Sequence, residues 1–154
     1  MSKPKKNRYV KYPPFVAYFK PQGVPMYSLE QVSLHVEEYE ALRLSDFQGM
    51  RHNEAASEMK VSRPTFTRII NSAHKKLADA ITNGKAIRVE GGNFILMDMR
   101  FFCEDCRNIW EIGNTDAIPE NCPKCGSQNI VDLSHRFMHG GYNRGGFGRR
   151  HRGG

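Results

Sequence analysis

Four cysteines stand in two pairs, Cys103-Glu104-Asp105-Cys106 and Cys122-Pro123-Lys124-Cys125, in the spacing C-x2-C-x15-C-x2-C. Two residues between ligands let one backbone turn present two thiolates to one point. Two such turns complete a tetrahedral four-sulfur shell, the arrangement of a structural zinc ribbon. Iron would keep the same ligands and change only the metal. A thiol redox switch is the competing use of the cysteines; a stable disulfide suits an oxidising compartment better than the cytoplasm. Four thiolates close the shell, whereas catalytic zinc keeps a position open for water. The ribbon is therefore expected to be structural or to dock a partner, and the chain is not expected to be an enzyme. Gly126 suits the reversal after the second pair; Arg107 holds the equivalent place after the first. Trp110 is the natural core residue for so small a module.

A second constellation lies at residues 53–77. Ala55, Ala56 and Met59 supply small and apolar contacts for a short helix, Val61 points inward from a turn, and Ser62 caps a second helix. At about 100° per residue, Phe66, Ile69, Ile70, Ala73 and Leu77 fall in one stripe, with Pro64, Thr67, Arg68, Asn71 and Lys75 opposite. That is the pattern of a helix-turn-helix whose second helix offers its polar face to a major groove. The expected DNA-contacting residues are Arg63, Pro64, Thr65, Thr67, Arg68, Asn71, Lys75 and Lys76. Arginine pairs with guanine, asparagine with adenine, and threonine touches a thymine methyl or a phosphate. Lys75, Lys76 and His74 lie further along, suited to backbone contact. Lys60 departs from the pattern: the turn position often needs φ > 0, and a non-glycine residue there costs on the order of 1 kcal/mol.

Val61-Ser62-Arg63-Pro64-Thr65-Phe66-Thr67-Arg68-Ile69 resembles the helix-turn-helix of sigma-factor region 4. Over about residues 1–92 the chain more closely resembles an uncharacterised prokaryotic family of predicted DNA-binding proteins, domain of unknown function 134. The matching stretches are Tyr18-Phe19-Lys20-Pro21-Gln22-Gly23-Val24-Pro25, Glu40-Ala41-Leu42-Arg43-Leu44, Glu54-Ala55-Ala56 and Gly84-Lys85-Ala86. The resemblance implies DNA binding and says little about biological role.

The elements that must position these residues can be read from periodicity and punctuation. Helices are expected over 36–47, 53–60 and 63–82, the first with Glu37, Glu38 and Glu40 near its positive end. Phe94-Ile95-Leu96 and Arg100-Phe101-Phe102 read as strands. The expected fold class is a mainly α helix-turn-helix domain plus a small β zinc ribbon, with disordered basic tails. The expected division is a basic proline-rich arm at 1–27, the helix-turn-helix domain at 28–92, the ribbon at 93–134 and a Gly/Arg-rich tail at 135–154. Tyr12, Phe15, Tyr18 and Phe19 give the arm something to pack with.

Net charge is +7 over 154 residues, and it is uneven. Residues 1–12 and 136–154 carry +5 each, residues 51–90 carry +4, and the cysteine-bearing residues 91–135 carry −4. The direct reading is a polyanion partner, duplex DNA, held by the basic segments. Two other partners remain open: RNA through Arg144-Gly145-Gly146-Phe147-Gly148-Arg149-Arg150, and a protein docked on the ribbon. No apolar run reaches the roughly 18–20 residues of a membrane span, and Met1–Lys11 lacks a signal-peptide core. The expected location is the cytoplasm. His135 and His139 share an i, i+4 spacing, but their glycine-rich setting favours solvated side chains over ligands.

Overall fold

Pro13, Pro14, Pro21 and Pro25 interrupt the chain between residues 7 and 27, where two short extended pieces form strands, β1 (Arg8–Val10) and β2 (Tyr18–Phe19). The computed structural model describes residues 7–113 and 117–138. The chain divides into two units: Pro14–Ile95 with the N-terminal residues up to Val10, and Lys11–Pro13 with the chain from Leu96 onward.

In the first unit, β3 (Gln31–Leu34) leads into α1 (Val36–Ala41), which continues as a π-helical stretch over Leu42–Phe47. Gly49, at φ 76°, ends it. Then come α2 (His52–Glu58), α3 (Arg63–Asn83) and β4 (Ala86–Val89). β4 pairs in parallel with β3, from Gln31↔Ala86 to Leu34↔Val89, and antiparallel with β2. The helices are thus the crossover between two parallel neighbours. β5 (Phe94–Leu96) pairs with β1 in a separate two-stranded sheet.

Each helix has a local cause. The Ser62 hydroxyl accepts from the Thr65 amide at 3.2 Å, Pro64 sits in the first turn of α3, and Gly84 closes its C-terminus in the left-handed conformation at φ 62°. On α1 the side chains of Glu37, Glu38 and Glu40 are buried. Glu38 accepts from the His35 amide at 2.8 Å and pairs with Lys76 of α3 at 2.6 Å. Glu40 pairs with Arg43 at 2.6 Å, and Glu37 accepts from the Asn93 amide at 2.7 Å. These acids therefore tether α1 to α3 and to the segment before β5, beyond any service to the helix dipole.

The second unit centres on β6 (Asp98–Cys103), flanked antiparallel by β7 (Ile109–Gly113) and β8 (Ile130–Asp132). A short α4 (His135–Met138) comes after β8. Arg100 donates to the Pro13 carbonyl at 3.1 Å and lies over the Tyr12 ring at 4.4 Å, which fastens residues 11–13 to this sheet.

The expectation of a mainly α fold is corrected: helices α1 to α3 belong to a mixed unit with its own parallel and antiparallel strands, and the other unit is built on a three-stranded sheet. The cause is tertiary. β1–β4 have only two to four residues each, too few to show a period of two, and the parallel partner of β3 lies beyond the helices in sequence. Within the proline-rich arm, Val10, Pro13 and Pro14 are fully buried rather than free. Residues 1–6 and 139–154, and with them most of both basic tails and His139, lie outside the described residues. Among the described residues no helix is long and apolar enough to cross a membrane.

Candidate nucleic-acid interface and metal centre

α3 buries one stripe and exposes another. Phe66, Ile69 and Ile70 pack with Ala41, Leu44, Ala55, Ala56 and Met59 in a single cluster, with Val61 and Met50 against it. Ala55 and Ala56 are fully covered, so the close approach of α2 to α3 depends on their small side chains. The turn between the helices places Lys60 at φ 54°, and Val61 donates to the Ala56 carbonyl at 3.0 Å. β1 braces the turn: the Tyr9 amide donates to the Met59 carbonyl at 3.0 Å, and the Lys60 ammonium lies 4.6 Å from the Tyr9 ring centroid.

On the opposite face, Arg63, Pro64, Arg68, Asn71 and Lys75 are exposed. Among the described residues no ion pair holds Arg63, Arg68 or Lys75. The other expected residues are engaged elsewhere. Thr65 belongs to the Ser62 cap. Thr67 is half-buried, with its hydroxyl 3.1 Å from Nδ1 of His52. Lys76 turns to Glu38 and is half-buried, so it is a tether within the unit before it is a free cation. His74 pairs with Asp46 at 2.6 Å. Burial by itself would raise the Glu38 carboxyl, but hydrogen bonds from Lys76, Ser72 and the His35 amide outweigh it and hold the group below its ordinary value. Sequence reasoning missed Arg51, exposed just before α2, and His52, the first residue of α2. The basic charge of 51–90 includes Arg51, and only the fold sets His52 against Thr67 and Phe66 of α3.

The four thiols converge although their pairs lie far apart in sequence. Cys103 ends β6 and Cys106 stands in the turn after it; Cys122 and Cys125 form the matching turn before β8. All four sulfurs lie within 4.8 Å of one another, and the Cys103–Cys125 and Cys106–Cys122 pairs stand at 3.6 Å. Disulfide bonding needs sulfurs about 2.05 Å apart, whereas a tetrahedral ion with metal–sulfur bonds of about 2.3 Å spaces them at roughly 3.8 Å. The cysteines are free thiols arranged as a possible metal site.

The two turns repeat each other. Arg107 donates to the Cys103 carbonyl and Gly126 to the Cys122 carbonyl, both at 2.9 Å, and both residues have positive φ, 64° and 76°. Amides also point at sulfur: Cys106 N–H at Cys103 Sγ and Lys124 N–H at Cys122 Sγ, both 3.4 Å. Burial disfavours the Cys122 thiolate, yet the Cys125 and Lys124 amides and the neighbouring thiols bring it down to about 6. The Ser127 amide favours the Cys125 thiolate, but burial and the three other sulfurs push that thiol up to about 12. The thiolate is favoured at Cys122 and disfavoured at its neighbours Cys106 and Cys125, an electrostatic demand that a cation would answer. Asp105 in the first turn accepts hydrogen bonds from Ser127 and Asn129 beside the second, clasping the two together. Trp110 stacks on Phe101 at 5.7 Å and packs against the cysteines with Ile130.

Residues 1–97 match the family model described as protein of unknown function DUF134. The chain belongs to this family. It is 46% identical over 136 residues to a UPF0251 protein of Desulforudis audaxviator, covering 88% of this chain and 89% of that one. It is 48% identical over 131 residues to a UPF0251 protein of Moorella thermoacetica, covering 85% and 87%. A UPF0251 protein of a Thermoanaerobacter strain is 61% identical over 94 residues, covering 61% of this chain and 83% of its own. An aligned stretch of 136 residues in a chain of 154 necessarily runs through the cysteine turns, so similarity to the first relative continues beyond the part the family model describes. No solved structure matches.

Proposed function

We propose that this DUF134 protein binds duplex DNA in a sequence-specific manner, as a cytoplasmic transcriptional regulator, with α2 and α3 acting as a helix-turn-helix and the cysteine unit as a structural or partner-docking zinc ribbon. In this reading the protein is a binding module and not an enzyme. The observation that carries it is the free outer face of α3: Arg63, Arg68, Asn71 and Lys75 are exposed on a helix whose other face is locked into a core. A rigid helix can hold side chains at fixed base edges. Two cations of the same unit have the other use of charge, pairing: Lys76 with Glu38 and Arg43 with Glu40.

For the metal, the donor set of four thiolates and their spacing favour zinc. The four cysteines would hold it and its charge would let all four ionise. The acidic balance of residues 91–135 favours a docking role over phosphate contact there.

The test is selection from random-sequence duplexes with the full chain. A preferred sequence is expected. Arg68→Ala should cost about 1–3 kcal/mol at that sequence and relax one base position, while Lys75→Ala should weaken all sequences alike. An unchanged preference in Arg68→Ala would remove α3 as the reading element.

A further inference from the structure

His52 and Thr67 come from different helices and meet at the edge of the free face of α3. The Thr67 hydroxyl lies 3.1 Å from Nδ1 of His52. The His52 ring is itself held, edge-on to Phe66 with centroids 5.2 Å apart at 66°, and Phe66 is a fully buried member of the core. A chain of contacts thus runs from the core through His52 to one side chain flanked by Arg68 and Asn71.

We infer that His52 is a positioning residue for base recognition, and that Thr67 reads a thymine through its methyl group. The inference rests on the DNA-binding reading above. Threonine in a helix divides its time between two rotamers because its hydroxyl can bond the preceding turn. Here the hydroxyl is bonded to His52 instead, with the hydroxyl donating when Nδ1 carries no proton. One rotamer is selected, and the hydroxyl proton, its one donor, is committed to His52. What Thr67 keeps for the groove is Cγ2, and the 5-methyl group of thymine is the apolar feature that a major groove offers to it. Half-burial of Thr67 fits a side chain whose polar atom is turned to the protein.

The experiment starts from the duplex selected by the full wild-type chain and replaces each thymine in turn by deoxyuridine, which removes only the methyl group. At one position wild type should lose about fourfold in affinity, the worth of one buried methyl group. Thr67→Ser keeps the hydroxyl and lacks the methyl; it should bind both duplexes equally at that position while keeping the preference elsewhere. His52→Ala frees the Thr67 rotamer and should shrink the same difference. His52→Asn, which can still bond the hydroxyl and is the less disruptive change, should restore it, with thermal melting confirming that each variant is folded. If no thymine-to-deoxyuridine change affects wild type, or if Thr67→Ser responds as wild type does, the inference is overturned and the DNA-binding reading stands. If wild type selects no sequence at all, both fall.

Discussion

The two units solve the same problem, holding polar groups at fixed positions, with different materials. In the first, a cluster of eight buried apolar residues around Phe66 and Met59 locks α2 to α3, and charged groups that are not needed outside are paired inside. In the second, the cluster around the sulfurs has only Cys103, Cys122 and Ile130 buried, with Cys106 and Trp110 partly so. The sheet of the same unit adds buried Met99, Phe101, Val131 and Leu133, so the unit has apolar burial of its own, but the few side chains at the two cysteine turns cannot by themselves hold four thiols together. The contrast teaches that the outer face of α3 should be indifferent to metal, while the two cysteine turns should depend on it far more than the sheet that carries them.

The largest effect separates them directly. With zinc held as proposed, a structural site of this kind contributes an apparent binding energy of about 10–16 kcal/mol, so chelation or Cys122→Ser should unfold the two cysteine turns. Trp110 is the only tryptophan and its fluorescence should report the loss, while far-ultraviolet helical signal persists. Simultaneous loss of both signals would erase the distinction. The reverse experiment is Phe66→Ala, expected to cost about 3–5 kcal/mol. It should lower the melting of the helical signal and leave bound metal unchanged.

A smaller effect is set by pH. Glu38 is held below its ordinary value of 4.5. Its stabilising contribution is therefore complete above that value and is lost as pH falls through the lowered one. The advantage of wild type over Glu38→Gln in thermal melts of the helical signal should be greatest near neutral pH and shrink progressively as the pH is taken below 4.5. A constant advantage would show that the Lys76 pair does not act through ionisation.

The smallest effect compares the turns. Lys60 and Arg107 both take positive φ without being glycine, at 54° and 64°, whereas Gly126 uses the residue suited to it at 76°. Lys60→Gly should change stability by less than about 1 kcal/mol, relief of strain being partly offset by the greater freedom of glycine in the unfolded chain and by loss of the Tyr9 contact. Gly126→Ala should destabilise by about 1 kcal/mol. Urea midpoints for each unit would measure both, and a large loss in Lys60→Gly would mean that the Tyr9 ring outweighs the strain.

Much of the molecule was legible in order. The stripe Phe66, Ile69, Ile70 and Ala73 marks a helix with one buried face, and that face is buried. Ser62 and Gly84 mark its ends because capping is local chemistry. The turn at Gly126 was readable for the same reason, whereas Lys60 and Arg107 read as departures from the glycine expected there and the fold holds both at positive φ all the same. The cysteine spacing announces convergence because two residues between ligands suit one turn. The sequence alone did not settle anything that depends on a distant partner. Strands of two to four residues carry too little pattern to be seen, and they exist because β4 finds β2 and β3 across the helices. The same holds for individual side chains: Lys75 and Lys76 are adjacent and chemically identical, yet one is exposed and the other is held by Glu38. Thr67 looked like one more residue on a polar face until His52 arrived from another helix to take its hydroxyl. Local structure is set by local sterics and hydrogen bonding, while pairing, burial and the availability of a charge are decided by what the rest of the chain brings alongside.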